Sequence, residues 1–145
     1  MTVTGGAPVV PVLLDTDAFS HIYVASPQSA QGKSWAAALT GRTVAIAVQT
    51  EVELRAWPVL RNWGQPRTAA LITRIQAVTR FQVSQAVQDE YVRLTVWAKQ
   101  NGHAIYDKIH TADRWIAATA LAHGLELASG DGGFDHIPNL SLIKP

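Results

Sequence analysis

Two short stretches of the chain, residues 9–14 and 44–48, contain only apolar residues, and a helical pattern follows each of them. Strands read in this way when helices cover both faces of a parallel sheet, because no position then faces water. Further short strands are expected at residues 81–83, 125–128 and 139–143, with helical patterns between them. The alternation predicts an α/β fold, a three-layer α/β/α sandwich with a mainly five-stranded parallel sheet.

An alanine-rich helix late in the chain places two acids near one end of this sheet. Residues 115–122 are apolar except for Thr119, and alanine is a strong helix former, so a buried helix is expected over residues 111–121. Asp113 lies in its first turn, and Asp131 follows the strand at residues 125–128. Because sites in open parallel sheets form outside the carboxyl ends of the strands, both acids are expected to face one crevice.

Composition restricts the class of protein. The chain has 145 residues, of which 48% are hydrophobic and 16% charged, which predicts a single folded domain over residues 9–145 behind a flexible tail at residues 1–8. The absence of cysteine excludes disulfides, thiolate zinc sites and cysteine nucleophiles. No apolar run is long enough to cross a membrane and no signal-peptide pattern is present, so we expect a soluble, cytoplasmic protein.

Four acids follow strands or begin helices: Asp15, Glu53, Asp113 and Asp131. If the sheet brings them together, their charges repel by roughly 4 kcal/mol for a pair about 4 Å apart at an effective dielectric of 20. Such a cluster requires raised pKa values or a hard divalent cation, and oxygen-only ligands favour Mg²⁺ or Mn²⁺ over zinc. A cation held in this way can activate water and neutralise charge during attack on a phosphodiester.

Each acid also has a purely structural explanation. Thr50 and Glu53 form a capping-box pattern, in which Glu53 would only bond back to the Thr50 amide. Asp113 could favour the helix dipole, and Asp131 could be a turn residue before two glycines. Asp15 is the hardest to explain in this way, because an acid next to a buried apolar strand is costly unless it is paired.

The net charge of +1 gives no global indication of nucleic-acid binding, so a polyanion would need a local patch or metal ions. One candidate patch interleaves basic and aromatic side chains that could contact phosphates and stack on bases. Its members are Arg55, Arg61, Arg67, Arg74, Trp57 and Trp63. A solvated helix face, with the tryptophans used in core or dimer packing, explains the same pattern equally well.

Four segments together resemble PIN-domain proteins, and most of all the VapC-type toxins of type II toxin–antitoxin pairs. They are residues 12–20, 49–55, 113–120 and 131–135, and the third is the most specific. The resemblance extends over roughly residues 11–143. Asp17 departs from it, because many members of the family carry asparagine, serine or another small polar residue at this position.

The resemblance implies a Mg²⁺- or Mn²⁺-dependent endoribonuclease with Asp15, Glu53, Asp113 and Asp131 as catalytic metal ligands. It also implies an RNA substrate, a homodimer and a VapB-type antitoxin that covers the active site. The residues expected to surround the metal ligands or to contact substrate are Thr16, Ser20, Asp135, Arg55 and Arg114.

Two other functions remain open from the sequence. In a phosphatase of the haloacid dehalogenase class, Asp15 and Asp17 would form the Asp-x-Asp nucleophile motif, with Asp15 as covalent nucleophile. That alternative leaves Glu53 and Asp113 without a role. The second is a catalytically inactive PIN fold that only binds a partner protein, although all four acidic positions are filled.

Overall fold

The computed structural model describes residues 10–25 and 28–145, so the tail predicted at residues 1–8 lies outside the described residues. Five parallel strands form one sheet in the order β3-β2-β1-β4-β5. Their bounds are β1 Val12–Leu14, β2 Val44–Ala47, β3 Thr79–Phe81, β4 Leu127–Ala128 and β5 Leu142–Ile143. The predicted α/β/α sandwich with a five-stranded parallel sheet is confirmed.

Helices connect the strands and cover both faces of the sheet. Their bounds are α1 Thr16–Phe19, α2 Ala30–Ala38, α3 Val48–Leu60, α4 Gln65–Gln76, α5 Gln85–Gln100 and α6 Thr111–His123. A π-helical turn, Ser20–Val24, continues α1, and 3₁₀ turns form at Ala104–Tyr106, Lys108–His110 and Gly132–Phe134. Gly124 ends α6 at a φ of +64°, a left-handed conformation that glycine adopts without steric cost.

The central strand separates two cores, because successive side chains of a strand point to opposite faces. Leu13 is fully buried on one face, in a cluster that includes Leu94 of α5 and Ile116 of α6. Leu14 is fully buried on the other face, in a cluster that includes Trp35 of α2. The continuously apolar strand is therefore explained by helices on both sides.

The strand boundaries differ from the sequence-based expectation. The third strand was expected at residues 81–83, and the structure has it at Thr79–Phe81, so that prediction was wrong by two residues. The last two strands are each only two residues long. None of the helices in the described ranges has the length and hydropathy needed to span a bilayer.

Candidate active site

Asp15 follows β1 directly and begins α1 as its N-cap residue. Its Oδ1 accepts a hydrogen bond from the Ala18 amide at 2.7 Å, and its Oδ2 accepts one from the Ser129 hydroxyl at 2.5 Å. The residue is only 5% exposed. Burial raises the pKa of its carboxyl group from 3.8 to about 6, although both hydrogen bonds oppose the shift. The negative charges of Asp17 and Asp113 raise it further.

Ser129 links the first acid to the fourth. Leu14 pairs with Ala128 across parallel strands β1 and β4, which places the two following residues, Asp15 and Ser129, beside each other. The single hydroxyl proton of Ser129 is donated to Asp15, and the hydroxyl oxygen accepts from the Asp131 amide at 3.0 Å. The sequence analysis assigned Ser129 no role, because strand order is not visible in the sequence.

Glu53 is connected to the start of α1 rather than to its own helix. Thr16 donates its hydroxyl proton to Glu53 Oε2 at 3.0 Å. Since that proton is used, the buried Thr50 hydroxyl donates to Thr16 over a distance of 3.2 Å. Thr50 lies inside α3, whose N-cap is Ala47, so the capping-box explanation of Glu53 is wrong. Its carboxylate is held by the residue next to Asp15.

Asp113 lies in the first turn of α6 and is partly buried. Its Oδ2 lies 3.1 Å from His110 Nδ1. Burial raises the pKa of the Asp113 carboxyl group against the effect of His110, and the charges of Asp131 and Asp17 add to the increase. The carboxylates of α6, of the loop after β4 and of α1 therefore act on one another at the carboxyl end of the sheet.

Asp131 is exposed and caps the 3₁₀ turn Gly132–Phe134, where its Oδ1 accepts from the Gly133 amide at 2.8 Å. A Cβ atom at Gly133 would lie 3.3 Å from this oxygen, so the turn leaves little room for a side chain. Asp131 thus has the turn role that the sequence left open, and its charge also acts on Asp113.

Asp17 is a further acid of this centre, which the sequence analysis treated as a departure from the family pattern and as part of the phosphatase motif, and not as a member of the acidic group. It is exposed in the first turn of α1, and its charge raises the pKa of both Asp15 and Asp113. The signal was its spacing, because residues two apart at a helix start remain close in space even though they do not share a helix face.

The remaining predicted surrounding residues, apart from Thr16 and Arg114, are Ser20, Asp135 and Arg55. Ser20 begins the π-helical turn one helical turn after Thr16. Asp135 accepts from Lys144 Nζ at 2.9 Å, a hydrogen bond that lowers the pKa of its carboxyl group. Arg55 is exposed, with its guanidinium 3.9 Å from Glu51.

Arg114 is buried and binds the backbone of the segment before α6. One terminal nitrogen donates to the carbonyl oxygens of Ile105 at 2.8 Å, Tyr106 at 2.6 Å and Asp107 at 3.2 Å. Its other nitrogens lie 3.3 and 3.1 Å from the Tyr91 hydroxyl. Arg114 is therefore committed to holding the two 3₁₀ turns that lead to His110 and α6.

The donor set suits a hard divalent cation, although it does not form a closed cage. No three His, Cys, Asp or Glu side chains within the described ranges are close enough together to hold a metal ion. In the same ranges, no lysine or arginine forms an ion pair with Asp15, Asp113 or Asp131. Mg²⁺ retains several waters and takes only one or two carboxylates directly, so these acids fit an open, hydrated site.

Comparison with known proteins gives related folds. Ribonuclease VapC4 from Mycobacterium tuberculosis (strain ATCC 25618 / H37Rv) is 29% identical over 101 residues, covering 68% of this chain and 74% of that protein. The crystal structure of VapBC2 from Rickettsia felis bound to a promoter DNA fragment is 21% identical with a TM-score of 0.75, covering 92% of this chain and 97% of its own. That of VapBC-5 from Mycobacterium tuberculosis, a member of the VapBC family of toxin-antitoxin systems, is 22% identical with a TM-score of 0.66, covering 94% and 99%.

The family model of the PIN domain matches residues 12–140, which include all four acids and every strand except the last. The match begins at the first residue of β1 and ends just before β5, so it spans the elements that carry the four acids. The chain belongs to the PIN domain family.

Proposed function

We propose that this protein is a metal-dependent endoribonuclease and the toxin of a VapBC-type pair. The observation that carries the proposal is the group of carboxylates at the carboxyl end of the sheet. Burial raises the pKa of Asp15 and of Asp113, and the charges of neighbouring carboxylates add to the increase. No lysine or arginine of the described ranges forms an ion pair with Asp15, Asp113 or Asp131. An assembly of this kind binds a divalent cation more readily than it performs acid–base chemistry alone.

Asp15, Glu53, Asp113 and Asp131 would surround Mg²⁺ or Mn²⁺, one or two of them as direct ligands and the others through bound water. When bound, the cation supplies charge neutralisation and activation of water for phosphodiester hydrolysis. The protein contributes the placement of the ligands. Ser129 and the Ala18 amide orient the Asp15 carboxylate, and Thr16 orients Glu53. Outer-shell hydrogen bonds of this type tune both the position and the affinity of metal ligands.

The relatives support the toxin assignment. One is named as a ribonuclease of the VapC type, and the structural neighbours are toxin–antitoxin complexes. We therefore propose a VapB-type antitoxin as the partner of this chain and RNA as its substrate.

We also propose a homodimer, because large apolar side chains are exposed on two helices. Val59 and Leu60 at the end of α3 are 79% and 75% exposed, and Val92 and Val96 lie one turn apart on α5. Each helix thus carries its own pair of exposed apolar side chains, and exposed apolar patches can mark interaction sites in soluble proteins.

The phosphatase alternative has less support. It gives Glu53 no role, whereas Glu53 accepts a hydrogen bond from the residue next to Asp15. The match to the PIN domain favours the nuclease.

The proposed activity is tested by incubating the purified, antitoxin-free protein with a mixed RNA pool and Mg²⁺. Glu53→Gln should reduce cleavage by more than about 100-fold, because loss of a ligand should exceed the roughly 10–100-fold effect of losing an outer-shell partner. EDTA should abolish cleavage. Glu90→Gln is the matched control, because Glu90 lies far from the acidic centre. It lines a cavity with Glu126, which precedes β4 at the amino end of the sheet.

Cleavage by Glu53→Gln at the wild-type rate would contradict the assignment of Glu53 as a ligand. A folded wild-type protein that hydrolyses a phosphomonoester but cuts no RNA would favour the phosphatase.

A further inference from the structure

Positive charge is concentrated in one part of the chain. Residues 54–88 contain five arginines and no aspartate or glutamate. The remainder contains seven lysines and arginines and eleven acids, so the net charge is +5 inside this segment and −4 outside it. The near-neutral total therefore hides a strongly basic segment, which forms most of α3, all of α4 and strand β3.

Three of these arginines lie over aromatic rings and form what we call the arginine–aromatic strip. The distances from the guanidinium carbon to the ring centroid are 4.1, 3.8 and 5.4 Å, all within cation–π range. The pairs are Arg61 over Trp57, Arg67 over Trp63 and Arg74 over Tyr23.

The strip has unused charge. In the described part of the chain, Arg61, Arg67 and Arg74 form no ion pair, whereas Arg55 and Arg80 both lie near Glu51. A guanidinium that lies over a ring can still donate hydrogen bonds from its edge, because the contact with the ring uses only its face. The three arginines are thus exposed donors whose positions are already restricted by the rings beneath them.

The strip begins beside the acidic centre. Glu53 and Trp57 are four residues apart on one face of α3, and Arg61, four residues further on, is the residue at which the helix ends. Eight residues of helix correspond to about 12 Å between the first and the last. Arg67 and Arg74 lie about two turns apart on one face of α4. The strip therefore extends from the helix that carries Glu53 to the next helix along the chain, and the two helices contact each other.

A cavity of about 190 Å³ lies within the strip. Its lining includes the guanidinium-bearing side chains of Arg67 and Arg74 and the rings of Tyr23 and Trp63. It is smaller than the roughly 300–1,000 Å³ of drug-sized ligand sites, so it suits one flat group. A cavity with aromatic walls and flanking guanidinium groups combines the features that hold a stacked base and its phosphate.

We propose that the arginine–aromatic strip binds single-stranded RNA outside the cleavage site. Arg61, Arg67 and Arg74 donate to phosphates from the edges of their guanidinium groups. An unpaired base lies in the cavity and stacks on the outer face of a guanidinium that already covers Tyr23 or Trp63. The strip then guides the strand towards Glu53. This inference rests on the proposed ribonuclease function, because it assigns the strip to the same substrate.

Binding is measured by the fluorescence anisotropy of a labelled single-stranded RNA in EDTA, which prevents cleavage, over a series of salt concentrations. The test variant is the double substitution Arg67→Gln and Arg74→Gln on α4. The matched control is Arg93→Gln and Lys99→Gln on α5, which removes the same charge from another helix. The same RNA annealed to its complement provides a ligand whose bases cannot stack on the protein.

The α4 variant should bind single-stranded RNA about tenfold more weakly than the control. The slope of log K against the logarithm of the salt concentration should be less steep by about 1.4 than for the control. Two phosphate contacts are lost, and each contact to a single strand contributes about 0.7 to the slope. Equal affinity and equal slope for the two variants would overturn the inference and leave a protein partner as the occupant of the strip. Wild-type binding to the annealed duplex as tight as to the single strand would also overturn it.

The two proposals fail separately. If the wild type cleaves RNA with Mg²⁺ while the α4 variant binds like its control, the strip is refuted and the nuclease stands. If the wild type binds RNA through the strip but does not cleave RNA with Mg²⁺, the proposed activity is refuted.

Discussion

Replacing Asp15 with asparagine should make the metal-free protein more stable even though it should abolish cleavage. Asparagine retains an oxygen that can accept from the Ala18 amide, and its NH₂ group can donate to the Ser129 hydroxyl oxygen. The substitution therefore conserves the shape of a side chain that is 5% exposed and keeps its bond from the Ala18 amide. It reverses the direction of the bond to Ser129, whose hydroxyl proton must find another acceptor, and it removes a buried negative charge.

The size of the effect follows from the pKa of Asp15. Its value of about 6 in the folded protein, compared with 3.8 as the ordinary value, corresponds to about 3 kcal/mol of destabilisation when the carboxylate is charged. Because the folded pKa is raised, the destabilisation is absent below pH ~3.8 and complete above pH ~6. Between pH 5 and pH 7 it should grow by about 1.3 kcal/mol.

The assay is urea unfolding in EDTA at pH 5 and pH 7 for the wild type and Asp15→Asn, with Asp89→Asn on the exposed surface of α5 as the control. Asp15→Asn should exceed the wild type in free energy of unfolding at pH 7, by an amount that shrinks at pH 5. A variant that is less stable than the wild type at pH 7, with a difference independent of pH, would refute the reasoning.

Mg²⁺ provides a second arm of the same experiment. A cation that binds only the folded protein at one hundred times its dissociation constant adds about 2.7 kcal/mol to the wild type. Asp15→Asn, which lacks one proposed ligand, should gain less. Mg²⁺ should therefore reduce or reverse the stability advantage of the variant. An equal gain by both proteins would exclude Asp15 as a ligand.

Two further substitutions test the residues that hold the site. Ser129→Ala should raise the pKa of Asp15 further, because it removes a hydrogen bond that lowers that pKa. The pKa is measured by NMR titration of the carboxyl ¹³C signal, and an unchanged value would contradict the prediction. Arg114→Met should cost about 3 kcal/mol of unfolding free energy, because it leaves the buried Ile105 carbonyl oxygen and its two neighbours without their donor; a urea midpoint within error of the wild type would contradict it.

The sequence by itself determined the class of fold and the positions of the four acids along it. A strand buried on both faces must be apolar throughout, so residues 12–14 and 44–47 are recognisable without any structure. An acid at the end of such a strand is exceptional, because an unpaired charge next to buried apolar residues is costly. A purely structural explanation is therefore hardest to give for Asp15. These signals are local, because they depend only on neighbouring positions.

Only the tertiary structure decided which side chains meet. The pairing of β1 with β4 brings Ser129 to Asp15 across 114 positions of sequence, and the approach of α1 to α3 connects Thr16 with Glu53. Arg114, expected near substrate, is instead buried against the backbone before α6. Strand order and helix approach depend on the packing of the whole chain, so no local pattern encodes these contacts.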